Sequence, residues 1–151
     1  MKKTNNKGFS LVELIVVIAI MAVLIGVLAP TFTKYVERSR KSTDVQNVAS
    51  IITAVQTYAA DPMVATADQL SGTTTLTIST TKATISATTT NKVEKALLAS
   101  GIGETQLKSG KWGDGTESSV TLTFTVGTDG AVKVTSTTDG DTNDILAGKY
   151  Q

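Results

Sequence analysis

The chain has 151 residues, with 14 basic and 13 acidic side chains, no histidine and no cysteine. This length suggests a single domain, and the near-neutral balance gives no electrostatic footprint for nucleic acid. Without His or Cys, most transition-metal and thiol chemistry is removed, as is any disulfide.

Residues 1–8, Met1 to Gly8, carry Lys2, Lys3 and Lys7 and no acid. Phe9-Ser10-Leu11-Val12-Glu13 then leads into sixteen consecutive apolar or glycine residues, Leu14 to Ala29. With Phe9, Leu11 and Val12 in front and Phe32 behind, residues 9–31 are long enough to cross a bilayer, which takes roughly 17–25 residues. Glu13 is the one carboxylate in this stretch, and a charge there costs about 2.5–3.5 kcal/mol on insertion scales. A glutamate that snorkels to the interface or protonates is the plain reading. A carboxylate in a first helical turn is also favoured by the helix dipole.

Gly8-Phe9-Ser10-Leu11-Val12-Glu13 resembles the Gly-Phe-(Thr/Ser)-Leu-(Val/Ile)-Glu signature of type IV prepilins and of the pseudopilins of type II secretion. The resemblance covers about the first sixty residues. It implies that a membrane aspartyl peptidase, the prepilin peptidase, removes residues 1–8 by cutting between Gly8 and Phe9, and methylates the new amine of Phe9. It implies further that Glu13 pairs with the terminal amine of a neighbouring copy, which sets the axial register of a helical homo-oligomeric filament. Glu13→Ala is then expected to spare cleavage and weaken assembly. The other implied partners are membrane lipid, an assembly ATPase and a polytopic platform protein. The implied location is the cytoplasmic membrane, single-pass with its amino terminus in the cytoplasm, followed by an extracellular surface filament.

A secretory signal peptide differs from this pattern. Its apolar region is usually 7–15 residues long and is discarded with the leader, whereas here the run is longer and its small-residue site, Val27-Leu28-Ala29, precedes Pro30. Charge does not decide orientation, because three lysines precede the span and Lys34, Arg38, Arg40 and Lys41 follow it within about fifteen residues. Loss of Lys2, Lys3 and Lys7 would leave 11 of the 14 basic side chains against 13 acidic ones. Many pilins of Gram-negative bacteria close a C-terminal loop with a cystine, and this chain departs from that pattern.

Residues 32–60 continue the helix in amphipathic form. Val45, Val48, Ile52, Val55 and Ala59 recur at spacings of three and four, with Ile51 and Tyr58 widening the stripe. Lys34 to Lys41 forms a charged collar, read either as a solvated helix face or as a subunit contact. Asp61-Pro62 predicts a stop, so the helix is expected from about residue 9 to 60, on the order of 75 Å. Pro30 removes a backbone hydrogen bond and predicts a kink or local opening, eased by Gly26. Pro30 also matches the place where filaments of the resembled family have a bent or melted helix.

Residues 61–151 turn to Thr, Ser, Gly and Asp. Leu76 and Ile78 alternate with threonines, as does Ile85. Val120, Leu122, Phe124 and Val126 make the clearest strand, and Val132 and Val134 its return. Between these two, Gly127-Thr128-Asp129-Gly130 has hairpin composition. Asn91 to Ala99 reads as a short helix capped by Asn91 and ended near Gly101. A small antiparallel sheet packed on the Val45–Ala59 face would bury both apolar surfaces, giving an α+β head whose core needs the helix.

No set of residues assembles an active site, so the chain reads as structural rather than catalytic. Asp139, Asp141 and Asp144 crowd oxygen ligands into one turn and make a candidate calcium site, although their spacing completes no EF-hand loop. Calcium near the C-terminus of major pseudopilins lends this some weight through the resemblance, against an ordinary acidic turn. Trp112 reads as part of a small core or as an adhesin contact. The favoured function is a pilin, stored in the membrane and polymerised through its N-terminal helix. The alternatives are a pseudopilin of a secretion or competence system and a membrane-anchored binding module that never polymerises.

Overall fold

The computed structural model describes residues 8–65, 69–81, 83–86, 90–102, 105–112, 118–127, 129, 131–136 and 145–147. Helix α1 spans Leu11–Ala60 and is followed by β1 (Gly72–Ser79), β2 (Ala83–Ser86), α2 (Thr90–Ala99), β3 (Ser119–Val126) and β4 (Val132–Ser136), then a short 3-10 turn at Ile145–Ala147. The chain divides into two compact units, Met1–Glu37 and Arg38–Gln151. The architecture is α+β, as the residue pattern predicts.

In the first unit the helix forms because its residues are apolar and unbroken by turn formers from Leu11 to Ala29. Pro30 does not open it: the helix is continuous through this position. The hydroxyl of Thr33 donates to the Pro30 carbonyl at 3.0 Å. Proline takes away one N–H while the turns on either side keep theirs, and that one loss leaves the ladder standing.

In the second unit the helix buries one line, Lys41, Asp44, Val48, Ile51 and Val55, with Ala54 beside it. Val45, Ile52, Tyr58 and Ala59 lie partly buried at its margins. Beyond Ala60 the Asp61 carboxylate accepts the Met63 N–H at 2.8 Å, a local turn that Pro62 favours.

The sheet is antiparallel throughout, in the order β2-β1-β3-β4. Its centre is the β1–β3 pair, where Thr74, Leu76 and Ile78 face Phe124, Leu122 and Val120 across the ladder. All six side chains are buried. The alternate positions pair Thr73 with Thr125, Thr75 with Thr123, Thr77 with Thr121 and Ser79 with Ser119, so the other face is wholly hydroxylic. The Thr77 and Thr121 hydroxyls meet at 3.0 Å. Period-two alternation sends apolar residues to one side and β-branched threonine to the other. One core joins Val48, Ile51, Ala54 and Val55 of α1 to Leu76, Ile78, Val120, Leu122 and Phe124 of the sheet, with Val93 and Leu97 of α2, Leu70, Leu107, Trp112 and Ile145.

The hairpin expected at residues 127–130 joins β3 to β4. Gly127 N–H donates to Ala131 O at 2.9 Å, and the Asp129 carboxylate accepts the Ala131 N–H at 3.0 Å. Helix α2 begins at Thr90, so Asn91 lies inside its first turn. The end is as expected. Gly101 takes φ 72°, its N–H reaches Leu98 O at 3.0 Å, and Ile102 N–H reaches Leu97 O at 2.9 Å. This is the paired-bond stop that a left-handed glycine allows, with Ile102 and Leu97 both on the core.

Candidate functional site

The amino-terminal segment carries the residues singled out from sequence. Gly8, Phe9 and Ser10 precede the helix and have no regular secondary structure, so the Gly8–Phe9 bond lies outside α1. Phe9 is 94 % exposed. A Cβ placed on Gly8 would meet nothing within 4 Å. The space around it thus makes no demand for glycine at this position. The same is true of Gly26, which sits inside the apolar helix with open space around it, although glycine costs a helix interior about 0.5–1 kcal/mol relative to alanine.

Glu13 stands in the first turn of α1. Its Oε2 accepts the backbone N–H of Ser10 at 2.8 Å. Ser10 O in turn receives the N–H of Leu14 at 3.3 Å, the first bond of the helix. Ser10 is therefore the N-cap and Glu13 the third helical residue, in the Ser-x-x-Glu spacing of a capping box. Behind them the large apolar side chains from Leu11 to Leu28 are all exposed, as are Phe32 and Tyr35. This part of α1 is long and apolar enough to cross a membrane.

The second unit holds an anchor that the sequence pattern did not reveal. Asp44 is completely buried on the core-facing line of α1. Its Oδ1 accepts Lys108 N–H at 2.6 Å, and its Oδ2 accepts Ser109 N–H at 2.8 Å and the indole Nε1–H of Trp112 at 3.2 Å. Lys41, one turn earlier, places Nζ 5.3 Å from the centre of the Trp112 ring, within cation–π range. Trp112 is itself fully buried, as the core reading requires, and supplies no surface contact. A buried carboxylate is tolerable only when its oxygens are satisfied, and three N–H donors do this. The result ties the loop 107–112 to the helix. Lys41 and Asp44 precede Val48 at helical spacing, which could have extended the apolar stripe, but a charge there reads as the end of a buried face.

The candidate calcium residues Asp139, Asp141 and Asp144 lie outside the described residues. Among the described residues, no group of three or more carboxylates is placed to hold a metal ion. A shallow groove lined by Ala49, Ser50, Thr53, Ala54, Thr57, Ser100 and Ile102 runs beside the second half of α1. The hydroxyls of Ser50, Thr53 and Thr57 are turned back onto carbonyls of their own helix at 2.8–3.0 Å. The groove therefore offers little polar chemistry.

Comparison with family models falls on the same segment. A family model described as the prokaryotic N-terminal methylation motif matches residues 3–29. Prepilin peptidase-dependent protein A of Clostridium perfringens is 38% identical over 60 residues, 40% of this chain and 43% of that protein. The type IV major pilin protein PilA of Myxococcus xanthus is 35% identical over 54 residues, 36% of this chain and 24% of that protein. The type IV major fimbrial protein FimA of Dichelobacter nodosus is 34% identical over 59 residues, 39% and 38% of the two chains. The chain thus spans less than half the length of these relatives, and no solved structure matches it significantly. The chain thus carries the prokaryotic N-terminal methylation motif at the head of its long apolar helix, and it is similar over 54–60 residues to proteins named as type IV pilins and as prepilin peptidase-dependent.

Proposed function

We propose that this chain is the structural subunit of a type IV pilus, held in the membrane by the first half of α1 and polymerised through that same surface. The observation that carries the reading is the exposed apolar helix of the first unit. From Leu11 to Leu28 its large side chains are 47–73 % exposed, a surface that water does not tolerate at this size. Lipid covers it in the stored subunit, and other copies cover it in a filament. Contacts between unlike surfaces of identical subunits propagate as a helix when the rotation between copies does not close a ring.

Processing fits the same scheme. The scissile bond between Gly8 and Phe9 lies ahead of the helix, where a peptidase can reach it, and cleavage leaves the apolar segment on the mature chain. The Phe9 amine is then methylated, and Glu13 of one copy meets the amine of another to fix the stagger. A motor ATPase and a membrane platform protein would extract the subunit from lipid, while the chain itself catalyses nothing.

The test is mass spectrometry of the N-terminal peptide in filaments sheared from the cell surface. A peptide that begins at Phe9 and is one methyl group heavier supports processing and incorporation together. The same peptide found in membranes but not in sheared material points instead to a pseudopilin. An N-terminus at Met1 or Pro30 overturns the assignment of Gly8–Phe9.

A further inference from the structure

We infer that Glu13 has a task before it meets any neighbour: in the single chain its carboxylate caps the first turn of α1. An α-helix begins with backbone N–H groups that have no partner inside the helix. In lipid, where water is scarce, each such group carries a penalty that it does not carry in solution. The Ser10 N–H is one of the donors at this end, and Glu13 Oε2 takes it at 2.8 Å. Leu14 N–H is already bonded to Ser10 O, so the helix starts where the carboxylate closes it. The negative charge also sits at the positive end of the helix dipole. A carboxylate at the head of an otherwise apolar helix thus has a use within one subunit.

This gives Glu13 two acceptor duties, capping its own chain and pairing with the amine of another, and the two need different chemistry. A cap needs an acceptor oxygen, which the glutamine amide also has. Pairing with an amine needs the negative charge. The inference rests on the membrane reading of α1 above, and it is independent of whether Glu13 sets the filament register.

The experiment uses the full 151-residue chain, as wild type, Glu13→Gln and Glu13→Ala, in lipid nanodiscs, with amide hydrogen exchange followed residue by residue. The expected result is faster exchange at the Ser10 amide in Glu13→Ala, by about fivefold, as loss of a typical cap implies. Glu13→Gln should stay within about twofold of wild type. Equal Ser10 exchange in all three chains overturns the cap. Failure of the wild-type chain to enter nanodiscs overturns the membrane reading and the inference with it. Filament yield is scored separately. Normal filaments from Glu13→Gln would remove the charge-pairing step of the proposed function, while unchanged Ser10 protection in the same variant would uphold the cap.

Discussion

Replacing Asp44 with alanine should loosen the second unit more than any other single polar change among the described residues. The substitution removes one carboxylate and leaves three donors facing a dry site: Lys108 N–H, Ser109 N–H and Trp112 Nε1–H. Lys108 is an exposed residue, so its N–H can turn to water at small cost. The other two donors are buried and cannot. An orphaned buried donor costs about 1–3 kcal/mol, so two of them cost about 2–6 kcal/mol. A loss of about 2–6 kcal/mol is therefore expected, a large part of the roughly 5–15 kcal/mol typical of a domain. Asp44→Asn keeps one acceptor oxygen and turns an NH2 group toward a donor, so about 2 kcal/mol is expected. The single tryptophan provides the assay, since Trp112 is itself one of the partners. Guanidinium unfolding of the full chain in detergent, read by indole emission, reports directly on this loop. In a double-mutant cycle followed by circular dichroism, since Trp112→Phe also removes the fluorophore, loss of the indole donor should recover about 1–2 kcal/mol of the Asp44→Ala loss. A change below about 1 kcal/mol for Asp44→Ala would refute the anchoring role.

Three further outcomes follow from the same structure. Phe124→Ala empties the centre of the sheet, where the ring is 1 % exposed, and should cost about 3–5 kcal/mol, seen as a large fall in melting temperature. Gly101→Ala meets no steric contact but forces φ 72° on a residue with a Cβ, so about 1–2 kcal/mol is expected in denaturant titration. Gly8→Ala should leave the circular dichroism spectrum unchanged, because no atom lies within 4 Å of the new methyl. It should nevertheless block appearance of the chain beginning at Phe9, and efficient cleavage of that variant would show that the glycine is not read by the peptidase.

The sequence showed most where one physical signal dominated. Sixteen apolar residues in a row, then a stripe at spacings of three and four, marked α1 to within two residues of each end. Alternation across Val120, Leu122 and Phe124 marked β3, and the Gly127–Gly130 composition marked its hairpin. Threonine runs concealed more. Thr73, Thr74 and Thr75 are identical in hydropathy, yet Thr74 is 4 % exposed while Thr73 points outward. Only the register with Phe124 decides which one is buried. The Asp44 anchor was least legible, because its partners lie 64 to 68 residues away in a loop without periodicity. A buried charge carries no local signature until its donors are placed.

The hydroxylic face of the β1–β3 pair has an evolutionary consequence. Thr73, Thr75, Thr77, Ser79 and their partners Thr125, Thr123, Thr121 and Ser119 belong to the same two strands as the core, yet they share no side with it. Substitutions at its exposed positions, Thr73 and Thr125, should alter stability by no more than about 0.5 kcal/mol, whereas the buried Leu76, Leu122 and Phe124 each carry several. The outermost positions of this face can therefore drift in sequence, one at a time, without disturbing the packing beneath. The inward residues between those positions stay fixed and preserve the fold.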